Sequence, residues 1–312
     1  MNSNEVLIYP VPWDVTTTFR NGTASAPFGI ESVFHQMDDQ HPFQKDMPDI
    51  RFLKVNDQIQ KLQNAAIKKS RLIIDQLNLN QPLNENDKKD LLFINDASKQ
   101  MNRWVYDDLI TLAQNNKIIL CGGEHGVGYG FVHALCQYYS DFSILQIDAH
   151  MDCRLAYFGF DFSHASIIRN YSNLNAVSSI TQVGIRDFDA SEIEFSMKSN
   201  TKFSTFFDYD IHKRLFEGET WFQISNSIVN SLSDLVFISL DIDGLMPYLS
   251  PNTGTPVPGG LSYNQLVYLL DLVQEHRTII GAELVEVNGG GENNWDAIVG
   301  SRLLQLMAGT FV

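Results

Sequence analysis

Apolar runs and helical stretches alternate along all 312 residues. This pattern predicts an α/β protein in three layers, α/β/α, with helices on both faces of a central, mainly parallel sheet. Two features carry the prediction. The β-rich segments are near-continuous apolar runs without in/out alternation, as strands covered on both faces require. Between them lie longer segments whose apolar residues recur at helical spacing.

In chain order, the first run is Val6, Leu7, Ile8 and Tyr9. Ile59, Leu62, Ala66, Ile73 and Leu77 mark one amphipathic helix, and Leu91, Ile94, Ala97, Met101, Val105 and Leu109 a second. Further strands are expected at residues 117–120, 143–147, 180–185 and 235–240. Ser262, with Gln265 three residues on, forms a capping box ahead of a helix carrying Leu266, Leu269, Leu270 and Val273. The last strand is expected at 278–281, running into Leu284 and Val285. The Asn/Gln-rich stretch 78–86 reads as a surface connection, and no repeat, low-complexity tract or Pro/Ser-rich linker divides the chain. One domain over residues 1–312 is expected.

Against 22 Lys and Arg stand 37 Asp and Glu, a formal charge of −15. That balance argues against nucleic-acid partners, which demand clustered cations, and against an anionic membrane face. It favours a cationic ligand. No segment reaches the roughly 18 consecutive apolar residues of a membrane span. The start, Met1-Asn2-Ser3-Asn4-Glu5, lacks the basic and apolar regions of a secretory signal. Cys121, Cys136 and Cys153 are odd in number and suit a reducing compartment, so the cytoplasm is the expected location.

The chemistry-bearing residues follow directly after the apolar runs. Leu120 leads into Gly122-Gly123-Glu124-His125, Ile147 into Asp148-Ala149-His150-Met151-Asp152, and Leu240 into Asp241-Ile242-Asp243; the last strand ends at Glu286. Ligands of an open parallel sheet bind at the carboxyl ends of its strands, so these segments should converge on one crevice. Gathering so many carboxylates is costly through repulsion and desolvation unless cations compensate. Two imidazoles, His125 and His150, with Asp148, Asp152, Asp241 and Asp243, can hold two divalent ions about 3.5–4 Å apart. Oxygen-rich ligation with some imidazole suits Mn²⁺, with Ni²⁺ or Co²⁺ as competitors. Gly126, Gly128 and Gly130 mimic a phosphate loop, but no Lys-Ser/Thr pair follows them.

These motifs, in this order, resemble the ureohydrolases, the family of arginase and agmatinase. The resemblance runs from Pro12-Trp13-Asp14-Val15-Thr16-Thr17 to the terminal helix and includes Thr253-Gly254-Thr255-Pro256-Val257-Pro258-Gly259-Gly260. Its details are closest to agmatinase-like proteins: Ser163-His164-Ala165 is similar to a segment of that branch, as is Asn294-Trp295-Asp296-Ala297, while 153–166 lack the Asn-rich segment of arginases. Four positions depart from the usual family residues, namely Glu124, Gly126, Met246 and Gly289.

The resemblance implies an arginase-like fold and the same six metal ligands. It also implies hydrolysis of an agmatine-like guanidino compound to urea and an amine, in a trimeric or hexameric homo-oligomer. Glu286 is then expected to bind the guanidinium, and His164 to bind substrate and carry a proton to the leaving amine. Asp152 and Asp243 are expected to steady the tetrahedral intermediate. Simpler roles compete with these: strand-end aspartates make turns, His164 can be a loop histidine, and Glu286 can pair with Arg154 or Arg186. His133 is expected to be structural, and His35, His41, His212 and His276 to be surface or packing residues. Tyr157, Phe158, Phe160 and Phe162 read first as core, second as pocket lining. Another guanidino or formimino substrate (a guanidino acid, guanidine or formimidoylglutamate) and a metal-loaded regulatory homologue are the competing functions.

Overall fold

Alternation along the central strands builds the layers. In β1 (Glu5–Val11), Val6 and Ile8 enter one core while Leu7 and Tyr9 enter the other. Such a strand is buried on both faces, which is why its sequence reads as continuous apolar residues. The computed structural model describes residues 5–38, 47–290 and 295–311, so His41 and Asn294 lie outside the described residues. The remaining strands are β2 (Asp49–Phe52), β3 (Lys117–Gly122), β4 (Phe142–Ile147), β5 (Val177–Ile185), β6 (Lys202–Phe207), β7 (Leu235–Asp241) and β8 (Thr278–Val285).

The eight strands form one sheet in the order β2-β1-β3-β8-β7-β4-β5-β6, and each of the described pairings is parallel. Helices Asp57–Asn78, Glu85–Leu112, Tyr129–Leu135 and Ile167–Ser172 bury Ile59, Ile94, Phe131 and Ile168 on one face. Helices Ala26–Phe34, Trp221–Val229, Tyr263–His276 and Trp295–Gly309 bury Ile30, Ile224, Leu270 and Leu304 on the other. The expected three layers are present. The Ser262–Gln265 capping box forms as read, each side chain taking the other's backbone N–H.

Six strands match expected runs. The two that sequence reading missed, β2 and β6, are the sheet's edges. Asp49-Ile50-Arg51-Phe52 alternates between exposed and half-buried residues, and β6 has no fully buried residue. An edge strand lacks the double cover that produces an apolar run, so its signal is weak.

The central four strands are β3, β8, β7 and β4, side by side. They are the strands that end in the four polar segments, so the topology alone brings those segments to one rim. Gly244, just beyond β7, packs its Cα against the start of the next polar segment. A Cβ there would come 2.5 Å from Asp148 N and 2.8 Å from Ile147 C. Gly244→Ala is therefore expected to lower stability by about 1–3 kcal/mol and to reduce bound divalent metal. Urea denaturation and elemental analysis check this, and an unchanged midpoint would contradict the close approach.

Candidate metal centre

His125 lies three residues beyond β3, and Asp148 directly follows β4. Asp241 closes β7, Asp243 sits in the single 3₁₀ turn after it, and Glu286 directly follows β8. His125 Nδ1, wholly buried, is 2.9 Å from Asp152 Oδ2, 3.2 Å from Asp148 Oδ2 and 3.7 Å from Asp241 Oδ2. None of these is aligned as a hydrogen bond, so a buried nitrogen faces three carboxylates without a partner. His150 Nδ1 is 3.2 Å from Asp243 Oδ2 and 3.6 Å from Asp148 Oδ1.

Two groups can thus each hold a cation: His125, Asp148 and Asp241, and Asp148, His150 and Asp243. Asp148 belongs to both. Its two oxygens face different imidazoles, the arrangement a carboxylate needs to bridge paired ions. Asp152 falls outside both groups but adjoins the first through His125. The donor set therefore fits two divalent cations, with oxygen dominant and one imidazole on each side.

Electrostatics point the same way. Burial alone would lower both imidazoles, yet Asp148, Asp152 and Glu283 hold His125 well above the usual histidine range, and Asp243 and Asp148 do the same for His150. Burial and the Asp148 charge push Asp152 up to about 7. Burial, Asp243 and Asp148 raise Asp241, while burial, Glu124 and Asp243 raise Glu286. The cluster draws in protons because it lacks compensating charge, and cations would displace them.

The aspartates are held by backbone as well. Asp148 Oδ1 accepts the His150 N–H at 2.7 Å, Asp241 Oδ1 the Asp243 N–H at 2.8 Å, and Asp243 Oδ1 the Ala149 N–H at 3.1 Å. The first two are the turn-forming bonds expected of strand-end aspartates, the third ties two strand ends together, and Asp148 Oδ2 also accepts from Gln146 Nε2 at 2.7 Å. Turn and ligand readings are compatible. Asp152 and Glu286 adopt left-handed backbone, with φ of 54° and 60°. For residues with a Cβ that conformation costs about 1–3 kcal/mol and tends to occur at functional sites.

Sequence reasoning missed the residues behind His125. Its Nε2 lies 2.8 Å from Ser239 Oγ, and Glu283 Oε1 accepts from both Ser239 (2.7 Å) and Tyr171 (2.8 Å). Ser239 is two residues before Asp241 on β7, so period-two alternation alone could have pointed it to the same face. Glu283 on the adjacent β8 had no such signal.

The departures from the family pattern find local reasons. Glu124 is completely buried; its Oε2 accepts the Thr16 N–H and hydroxyl, each at 2.8 Å, and burial pushes its carboxyl up to about 8. The longer side chain thus anchors the loop after β1. A Cβ on Gly126 would meet Phe162 O, and one on Gly289 would meet Ser25 backbone, so close packing explains both glycines. Nothing in the structure explains Met246.

A cavity of about 350 Å³ opens over the centre, lined by His150, Asp152, His164, Arg154, Tyr157 and Thr255 among others. Glu286 is 6% exposed and is not on that wall; its Oε1 accepts the His125 N–H at 2.9 Å. Neither Arg154 nor Arg186 pairs with it. Arg186 spends its donors on carbonyls of Gly184, Asp243, Leu245 and Val257, and Arg154 faces Glu192. His164 is half-buried, and its N–H donates to Thr16 Oγ1 at 3.3 Å. Burial and the charges on His150 and His125 hold its imidazole down to about 3. The aromatic group divides: Phe160 is core, Tyr157 lines the cavity. His133 stacks on Tyr106 and Tyr129, a structural role.

The fold and site are thus an α/β sheet with a donor set for two cations at its carboxyl rim. Residues 4–309 match the arginase family. The chain belongs to that family. It is 36% identical over 175 residues to the N(1)-aminopropylagmatine ureohydrolase of Thermus thermophilus, a match covering 56% of this chain and 56% of that protein. It is 29% identical over 191 residues to the agmatinase of Pyrococcus horikoshii, covering 61% and 62% respectively. The chain therefore aligns with little more than half the length of these relatives. In fold it is similar to the agmatine ureohydrolase of Thermoplasma volcanium, with a TM-score of 0.72, 21% identity and coverage of 99% of this chain and 89% of that one.

Two expectations follow. Metal uptake should release protons and strengthen as pH rises, because the raised imidazoles and carboxylates must deprotonate to ligate. Calorimetry in two buffers of different ionisation enthalpy reads the release, and none at neutral pH would contradict the geometry. Ser239→Ala should weaken metal binding by about 10–100-fold through loss of His125 orientation, measured by competition with a chelating dye.

Proposed function

We propose that this chain is a binuclear-metal hydrolase that cleaves a guanidino compound to urea and an amine, and that residues 1–312 form one catalytic domain. The observation that carries the reading is the pair of cation-holding groups sharing Asp148 beneath an open cavity. Family membership supports the same chemistry. Mn²⁺ is the proposed ion on ligand type, ahead of Ni²⁺ or Co²⁺. Among the described residues no helix is long and apolar enough to cross a membrane. The cytoplasm as location, and a trimer or hexamer as assembly, rest on cysteine usage and on the family respectively.

His125, Asp148, His150, Asp152, Asp241 and Asp243 are the proposed ligands. Bound there, divalent cations supply Lewis acidity and bring the ionisation of water into the neutral range. The chain's own residues do the rest. Glu286 is fixed by one oxygen to the His125 N–H. Its other oxygen borders Gly254, where the absent side chain leaves space for guanidinium N–H donors. Asp152 and Asp243 steady the charge that develops at the reacting carbon. His164, on the cavity wall, accepts a proton and delivers it to the departing amine nitrogen. Its place among the residues lining the cavity supports this role.

Metal-reconstituted protein assayed for urea release against a panel of guanidino compounds tests the proposal. Turnover of at least one member is expected, and a metal-loaded protein that hydrolyses none would make it a non-catalytic homologue. His164→Asn should lower kcat by about 10²–10⁴-fold while keeping metal content.

A further inference from the structure

We propose that the substrate carries a carboxylate at the end opposite its guanidinium, and that Arg154, with Arg20 at the rim, reads it. The chain would then prefer a guanidino acid to agmatine. This rests on the guanidino-hydrolase reading above and specifies its substrate class.

Both arginines line the cavity over the metal centre. Arg154 comes two residues after Asp152 and is held from several sides. Its backbone N–H donates to Ala165 O at 3.0 Å, its guanidinium lies over the Tyr157 ring at 4.9 Å, and its Nε is 3.7 Å from Glu192 Oε2. Among the described residues it makes no side-chain hydrogen bond, and its side chain is 35% exposed. A guanidinium fixed in position with its donors unspent is preorganised for a planar anion. Arg186 is the contrast, since backbone carbonyls use its donors. Arg20 gives one donor, Nη1, to Pro251 O at 2.8 Å and keeps the others.

Of the acids on the same wall Glu192 is engaged, while Asp187 is exposed and lies toward the metal end. Glu192 accepts the Cys153 and Asp189 N–H groups, each at 2.9 Å, and faces Arg154. Asp187 Oδ2 is 3.8 Å from His150 Nε2, at the metal end of the cavity. An ammonium at the substrate's far end would meet the guanidinium groups of Arg154 and Arg20, whereas a carboxylate would find in Arg154 a bidentate partner with no aligned side-chain hydrogen bond among the described residues. Phe19, Tyr157, Phe188 and Pro256 supply an apolar path for the chain between the two ends. The excess of acid over the whole molecule argued for a cationic ligand; the cavity wall adds two arginines, Arg20 and Arg154, beside Asp152, Asp187 and Glu192.

The test is the ratio of kcat/KM for 4-guanidinobutanoate to that for agmatine, measured as urea release by Mn²⁺-loaded protein. A ratio of about 10 or more is expected, falling about tenfold in Arg154→Gln through a raised KM for the acid and partly restored in Arg154→Lys. Metal content and Tm establish that each variant is folded. Should Arg154→Gln not fold, the wild-type ratio together with Arg20→Gln decides the matter. Agmatine as the better substrate, or a ratio indifferent to both arginines, overturns the proposal and leaves the hydrolase reading standing. Failure to hydrolyse any guanidino compound removes both.

Discussion

Like-charge crowding is the constraint around which this molecule is organised. Asp148, Asp152, Asp241 and Asp243 are all nearly or completely buried at one rim of the sheet, with His125 among them. In water-poor surroundings such a group is tolerable only if protons or cations neutralise it. The raised imidazoles mark the proton solution, and the shared position of Asp148 between two donor groups fits paired cations as the other. Stability, metal affinity and chemistry are then one problem, since whatever loosens the rim affects all three.

The supporting structure is correspondingly rigid. Four adjacent central strands set the spacing of the donors, and backbone N–H groups lock one oxygen of each of three aspartates. Ser239, Glu283 and Tyr171 orient His125 from behind. Glu124 ties down the loop whose Thr16 meets His164. Left-handed backbone at Asp152 and Glu286 is the strained part of this frame, held where the surrounding hydrogen bonds allow no alternative.

Charge is distributed on two scales. The total of −15 is partly interior: among the described residues eleven acids are buried, Asp148, Asp241 and Glu283 among them, and no Lys or Arg is. Around the cavity the distribution is local and mixed, with Asp187 and Glu192 on the wall beside Arg20 and Arg154. Net charge therefore says little about what the cavity binds, because a ligand responds to groups within a few ångströms while more distant charges are screened.

Much of this was legible in the linear chain. Double burial writes itself into sequence as apolar runs, so the six inner strands, the layers and the polar segments at strand ends could be read directly. Ligand types and their spacing carried the six candidate donors. The edge strands Asp49–Phe52 and Lys202–Phe207 could not be read, because half-exposed strands lack that signature. Contacts between residues distant in sequence were equally silent. Glu283 behind His125, Glu124 reaching Thr16, and Arg154 facing Glu192 and Tyr157 while Arg186 is consumed by carbonyls all depend on which strands and loops are neighbours. Burial and local chemistry leave a mark on each residue in turn. The number of partners a side chain has left to offer is settled by long-range packing.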